Sequence, residues 1–279
     1  MRKLDIAILD MYDNAPNEGM RCILQLIRHV QETEQVELDY KLYNVRAENE
    51  LPGLGYDIYI STGGPGSPLP SEEAWERPYF HLIDQLFEHN RTRRRKKHVF
   101  LICHSFQLVA RHLKLGIVSK RRSTSFGIFP IHQTDDGHTE PFFQSLPDPF
   151  YAVDSRDFQL TQPNWKRIEQ TGAKVLCLEK IRPHVDLDRA VMAIRFSQEI
   201  FGTQFHPEAD GDGMLRYFQQ DEKRLKIVEN HGEAKYNDMV EHLRDPDKIE
   251  LTESVIIPSF LRQAIRALLP AKEQVMNNV

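Results

Sequence analysis

The sequence predicts an α/β protein in which a largely parallel sheet is flanked by helices and followed by a helical C-terminal extension. Three observations predict it. Residues 4–9 alternate and then become continuously apolar before Asp10, and Met20, Ile23, Leu24, Ile27 and Val30 then repeat at helical spacing. Residues 36–43 return to β character with Leu38, Tyr40 and Leu42 alternating, which completes the β-α-β unit of a parallel sheet. A third strand, residues 56–62, runs directly into Gly63-Gly64-Pro65-Gly66-Ser67-Pro68. A fourth, residues 99–102, ends in Cys103, after which Gln107, Leu108 and Ala110 take up helical spacing, so Cys103 falls on a strand-to-helix turn.

The remaining elements follow in order. Ser71 reads as the cap of a helix with Glu73 in its first turn and Trp75, Tyr79, Leu82, Ile83 and Leu86 turned inward. The charge run RTRRRKK at residues 91–97 reads as a solvated loop at that helix's C-terminal end, where cations are favoured. Short β segments are expected at 116–118, 126–132, 151–153, 175–178 and 191–196, with a brief strand at 203–205 ending at His206. Beyond Glu208 the character changes: residues 214–228 and 236–243 are amphipathic and charged, and 256–269 are apolar at helical spacing ahead of a frayed tail. The chain therefore divides into an α/β domain over residues 1–210 and a helical extension over 211–279.

Composition bounds the function. With 279 residues, 40% hydrophobic and 28% charged, the chain can bury a good core. A net charge of -5 and a pI near 6.2 argue against a general nucleic-acid binder. The three cysteines, Cys22, Cys103 and Cys177, are odd in number and far apart, which suggests neither a disulfide framework nor a metal site. No apolar run approaches a membrane span, and a cytoplasmic protein is expected.

The chemistry concentrates at Cys103. A helix N-terminus stabilises anions, so an exposed thiol there can have its pKa lowered to about 3.5–7.5 and the adjoining N–H groups can hold an oxyanion. The same thiol could instead be a small buried hydrophobe at a strand end. The glycine loop at residues 63–66 allows close backbone approach to a ligand but, without a following Gly-Lys-Ser/Thr, is not a nucleotide phosphate loop. In Gly202-Thr203-Gln204-Phe205-His206-Pro207-Glu208, an extended backbone puts His206 and Glu208 on one side, as a base and its orienting carboxylate would be. Cys22 and Cys177 read as core residues.

The stretches STGGPGSP at 61–68, ICHSFQ at 102–107 and GTQFHPE at 202–208 occur in the order in which the class I glutamine amidotransferase family carries them, and over residues 4–208 the chain resembles that family. The resemblance implies an open, mostly parallel α/β sheet and a Cys-His-Glu triad. Cys103 would attack the side-chain amide of glutamine, His206 would act as base and acid, and Glu208 would orient it. Gly64 and His104 would supply oxyanion N–H groups, and Gly63, Gln107 and Ser155 would lie along the substrate. No cofactor or metal is implied. Partners would be glutamine or a γ-glutamyl compound and a separate synthetase or acceptor protein, because the sequence shows no ATP-binding module of its own.

The elbow departs from the family pattern at Leu101 and Ser105, where glycine is usual, and Ser155 is followed by Arg156 rather than histidine. His206 is preferred to His104 as base because it has a carboxylate two residues on; the side chain of His104 is expected to face solvent. Two rival functions remain at this level, hydrolysis of γ-glutamyl amides or peptides by the same triad and a low-turnover regulatory subunit.

Overall fold

The computed structural model describes residues 3–183, 187–243, 245 and 247–269. It opens with β1 (Lys3–Asp10), α1 (Gly19–Glu34), β2 (Glu37–Asn44), the single turn α2 (Val45–Glu48), β3 (Ile58–Ser61), α3 (Glu76–Thr92), β4 (His98–Ile102) and α4 (His104–His112). It continues through β5 (Ile117–Gln133), α5 (Asp135–His138), β6 (Phe150–Thr161), α6 (Trp165–Thr171), β7 (Lys174–Glu179), β8 (Val191–Arg195) and β9 (Ile200–Thr203). Four helices close the chain: α7 (Gly211–Gln219), α8 (Asp221–His231), α9 (Glu233–Leu243) and α10 (Ile249–Leu268).

Among the described residues the strands form one sheet in the order β2-β1-β3-β4-β9-β8-β7-β5-β6. Pairing is parallel from β2 across to β9 and antiparallel from β9 to β6. The parallel half is covered on both faces, which is why its strands read as continuous apolar runs. Leu4, Ile6, Ile8, Ile60 and Phe100 pack on one side with α1 and α10, and Ala7, Leu9, Tyr59, Val99 and Leu101 on the other with α3, α4 and α6.

The apolar stripe at the C-terminal end belongs to α10, whose Ile256, Ile257, Phe260, Leu261, Ala264 and Ile265 are buried in that first core. The Phe260 ring stands edge-on to Phe100 at 5.1 Å. Three further helices, α7 to α9, gather a smaller core of Phe218, Ile227, Tyr236, Met239 and Leu243 over Ile128 and Val153 of β5 and β6. The frayed tail expected past Leu269 lies outside the described residues.

Several local readings are corrected. Ser71 does not cap α3, which begins at Glu76; the Ser71 hydroxyl and N–H both donate to the Glu76 carboxylate instead. The segments expected at 116–118 and 126–132 are one long strand, β5, with an irregular register between Lys120 and Ser125 opposite β6. The strand expected to reach His206 ends at Thr203, and His206 makes an isolated antiparallel bridge to Val153. Leu38 is buried, but Tyr40 and Leu42 are exposed, because β2 is the edge of the sheet. The basic run is not wholly solvated: Arg95 pairs with Asp57 at 2.8 Å and Lys97 is buried.

Candidate active site

Cys103 sits between the end of β4 and the start of α4 with φ 45° and ψ −96°. A positive φ is costly for a residue with a Cβ, about 1–3 kcal/mol, and is held here by structure on both sides of the turn. Its N–H donates to Thr203 O at 2.7 Å, tying β4 to β9, and Ser105 Oγ donates to Thr62 O at 2.6 Å and stands 2.7 Å from Ser61 Oγ. Ser105, where glycine was expected from the resemblance, thus fastens the helix to the end of β3. The turn carries the thiol into a cavity of about 430 Å³.

His206 and Glu208 reach the same cavity from the segment after β9. Nδ1 of His206 lies 2.8 Å from Glu208 Oε1, and the Glu208 side chain is only 1% exposed. Burial works against protonation of His206 most strongly, yet the nearby charges of Glu208 and Cys103 and hydrogen bonds to both hold its pKa well above the ordinary imidazole value. Gly63 stands behind this arrangement, since a Cβ there would lie 2.8 Å from the His206 ring and 3.5 Å from Cys103 Cβ. Only glycine lets imidazole and thiol approach across that point.

Gly64 is constrained as tightly, because a Cβ on it would meet Met11 O at 2.1 Å. Arg46 fixes the loop by donating to Met11 O at 3.2 Å and to Pro65 O. Among the described residues neither the Gly64 N–H nor the His104 N–H has a hydrogen-bond partner, and both residues line the cavity. Both N–H groups are thus available to a ligand in the cavity that holds the thiol.

Gln107 and Ser155 also line it. The Gln107 amide donates to Phe158 O at 2.9 Å and to Gln204 Oε1 at 2.8 Å, while Gln204 donates to Cys103 Sγ at 3.5 Å. Ser155 presents its carbonyl oxygen 3.8 Å from the same sulfur. Arg156 also lines the cavity but is only 5% exposed; its Nε donates to both Asp154 oxygens at 2.9 Å, and Glu179 lies 3.5 Å away.

His104 requires a correction. Its side chain is 2% exposed, not solvent-facing, and burial, with the nearby charges of Arg46 and Arg111, pushes its pKa down to about 3. A neutral imidazole fixed away from any carboxylate is a poor counterpart to His206 as base. Cys22 is buried as expected and also lines the cavity, its Sγ 3.6 Å from Asp210 Oδ2, and burial drives its pKa up to about 12. Cys177 is fully buried in β7 and does not line the cavity, and burial raises its pKa.

The sequence reading missed Tyr12, Gln204 and Arg46. Tyr12 closes the cavity where the loop after β1 folds back, and a Cβ on Gly19 would lie 2.1 Å from its hydroxyl and 3.3 Å from Glu208 Oε1. Its position at the C-terminal end of a central parallel strand was the available signal.

The family model for class I glutamine amidotransferases matches residues 17–244. The chain belongs to that family. The chain resembles solved structures in fold: a glutamine amidotransferase from Thermotoga maritima at 15% identity and TM-score 0.66, covering 94% of this chain and 98% of that one. A glutamine amidotransferase from Methylobacillus flagellatus gives 13% identity and TM-score 0.61 over 95% and 96% of the two chains. The glutaminase domain of a Trypanosoma brucei CTPS with bound acivicin gives 15% and 0.53 over 74% and 86%. No curated protein sequence matches the chain. Among the described residues no helix is long and apolar enough to cross a membrane, and no cluster of side chains suited to a metal ion occurs.

Proposed function

We propose that the protein hydrolyses the side-chain amide of glutamine through a thioester on Cys103 and delivers ammonia to an acceptor handled by a separate protein. The observation that carries the proposal is the His206–Glu208 pair at 2.8 Å beside a cysteine held at positive φ. Cys103 sulfur adds to the γ-carbonyl carbon, and the oxygen's developing charge is met by the Gly64 and His104 N–H groups. His206, held as imidazolium by Glu208, gives its proton to the departing nitrogen as the C–N bond breaks. Water, deprotonated by the now neutral His206, attacks the thioester and releases glutamate. Gln107 acts through Gln204 and the β6 backbone to fix the floor on which the substrate lies.

A diazo-ketone analogue of glutamine tests substrate and nucleophile together. The expected result is one adduct, on Cys103, found by peptide mass spectrometry and suppressed by excess glutamine. Cys103→Ala should release no glutamate while keeping the circular dichroism of the parent. Labelling of Cys22 or Cys177, or labelling indifferent to glutamine, would overturn the reading.

A further inference from the structure

Only one oxygen of the Glu208 carboxylate is engaged. Oε1 faces His206 Nδ1 at 2.8 Å, while Oε2 is buried with no hydrogen-bond partner among the described residues. A second orphan, of the opposite kind, belongs to the same cavity. The Tyr12 hydroxyl is also buried and unpartnered, the residue is only 7% exposed, and Tyr12 lines the space together with Glu208, His206 and Cys103. Leaving a buried polar atom unpaired is costly, most of all on a charged group, so an orphan donor and an orphan acceptor in one place answer each other.

The backbone brings the two together. Tyr12 stands two residues past the end of β1, where its N–H donates to Asp10 Oδ1 at 2.8 Å and its carbonyl accepts from the Ala15 N–H at 2.9 Å. The Met11 N–H beside it donates to Thr62 Oγ1 at 2.9 Å. A Cβ on Gly19, the first residue of α1, would lie 2.1 Å from the Tyr12 hydroxyl and 3.3 Å from Glu208 Oε1, so phenol and carboxylate are no further apart than those two distances together. They make no direct hydrogen bond. One water molecule with a hydrogen bond to each side spans roughly 4.5–5.5 Å. Arg21, the cation on this side of α1, is engaged by Glu18 and Asp210, each at 2.6 Å. Burial above all, and then Glu208, Asp10, Cys103 and Cys22, hold the Tyr12 pKa well above the ordinary phenol value, so the hydroxyl stays a donor.

We propose that Tyr12 is a positioning residue: through one bridging water molecule its hydroxyl holds Oε2 of Glu208 and so fixes the carboxylate that orients His206. This rests on the reading of His206 and Glu208 as base and orienting carboxylate, and adds the group that sets how much negative charge the carboxylate presents to the imidazole. A hydrogen bond to a carboxylate is stronger when no cation already meets its charge. The Tyr12 contact therefore favours neutral His206 over imidazolium, and its loss should raise the His206 pKa. Glu208→Gln moves the same pKa the other way.

The test follows the His206 imidazole by NMR in the full-length, 15N-labelled protein, its signal assigned among the 12 histidines by its absence from His206→Gln. No substrate is required. Tyr12→Phe keeps the ring and removes the hydroxyl; the His206 midpoint should rise by ~0.5–1 pH unit. Its Nδ1 proton, read at pH 7, should move downfield as the bond to Glu208 strengthens. Gly19→Ala, which keeps the hydroxyl but displaces it, should act in the same direction. A parent midpoint at or below about 6.5 would overturn the triad reading and this inference with it. A raised midpoint that Tyr12→Phe leaves in place or lowers would overturn the inference alone. Where the parent midpoint exceeds the pH range of the folded protein, the Nδ1 proton decides, and an unmoved proton in Tyr12→Phe is the overturning result. Should Tyr12→Phe fail to fold, the same two measurements on Gly19→Ala decide.

Discussion

Leu101 on β4 and Gly202 on β9 are register partners in adjacent parallel strands, and a Cβ on Gly202 would stand 3.2 Å from the Cβ of Leu101. The same added atom would lie 3.0 Å from the Phe196 ring and 3.1 Å from that of Phe106. Leu101 is fully buried. A leucine two residues before the elbow cysteine is therefore compatible with close strand–helix packing, since the space beside it on β9 is left open by glycine.

Gly202→Ala should accordingly destabilise the protein by about 1–3 kcal/mol, the usual range for overpacking a filled core. Three neighbours crowd the new methyl group, and two are aromatic rings of a fully buried cluster that has little room to move. Urea unfolding followed by circular dichroism measures it. The strand bearing Gly202 leads within a few residues to His206, so turnover should fall along with stability. A variant as stable as the parent would show that Phe106 and Phe196 have slack the packing does not reveal.

The fate of the Glu208 charge can be predicted with its sign. In the folded protein Glu208 and Cys103 outweigh burial and keep His206 protonated above its ordinary pKa of about 6.5. Glu208→Gln keeps a hydrogen-bond acceptor for Nδ1 but removes the charge, while burial, which lowers the pKa, remains. His206 then loses its proton at lower pH, and the imidazolium needed to protonate the leaving nitrogen disappears sooner. The alkaline limb of the pH–rate profile should move to lower pH, and kcat should fall by about three to four orders of magnitude, as when a triad carboxylate is neutralised elsewhere. Linkage has the matching sign: the raised pKa contributes stability that is full below about 6.5 and is lost as pH rises through the folded value, and the variant lacks it. An unmoved alkaline limb would assign that limb to another group.

How much of this was legible in the sequence depends on what each residue answers to. The stretches around Cys103, Gly64 and His206 were legible because their chemistry is set by neighbours in sequence: a turn, a pair of glycines, a His and Glu two apart. Tyr40 and Leu42 misled because alternation reports which side a residue faces, not whether anything covers that side at a sheet edge. The long β5 was hidden by KRRSTS in its middle, a run whose polar side chains are met across strands and not locally, Arg121 by Glu179, Thr124 by Asp157 and Ser125 by Asp154. Arg156 was visible only as a departure. Its partner Asp154, two residues earlier on the same side of β6, was the signal that it would be buried as an ion pair. For His104 no local signal existed, because its burial is produced by elements far away in the chain.

Two buried neutral histidines make the protein acid-sensitive. Burial lowers His98 to about 4 and His104 to about 3, in each case with a nearby arginine charge adding to the effect. Neither Nε2 has a hydrogen-bond partner among the described residues, and at His98 the opposing charge of Asp57 is outweighed by burial and Arg195. In the unfolded chain both titrate near 6.5, so between that value and their folded values the unfolded state binds more protons than the native one. Stability is thus undiminished by these groups above about pH 6.5 and falls as the pH drops below it, with a limiting slope of about 1.4 kcal/mol per pH unit for each histidine. The sign is opposite to that of His206 and acts on the other side of neutrality. His98→Phe, placed against the rings of Phe260 and Phe100, removes one of the two protons and should flatten the slope between pH 6 and pH 4.5 by close to half. Chemical denaturation at several pH values reads the slope directly. If the variant and the parent lose stability in parallel over that interval, His98 is not one of the groups that take up protons on unfolding, and the acid sensitivity belongs to other groups.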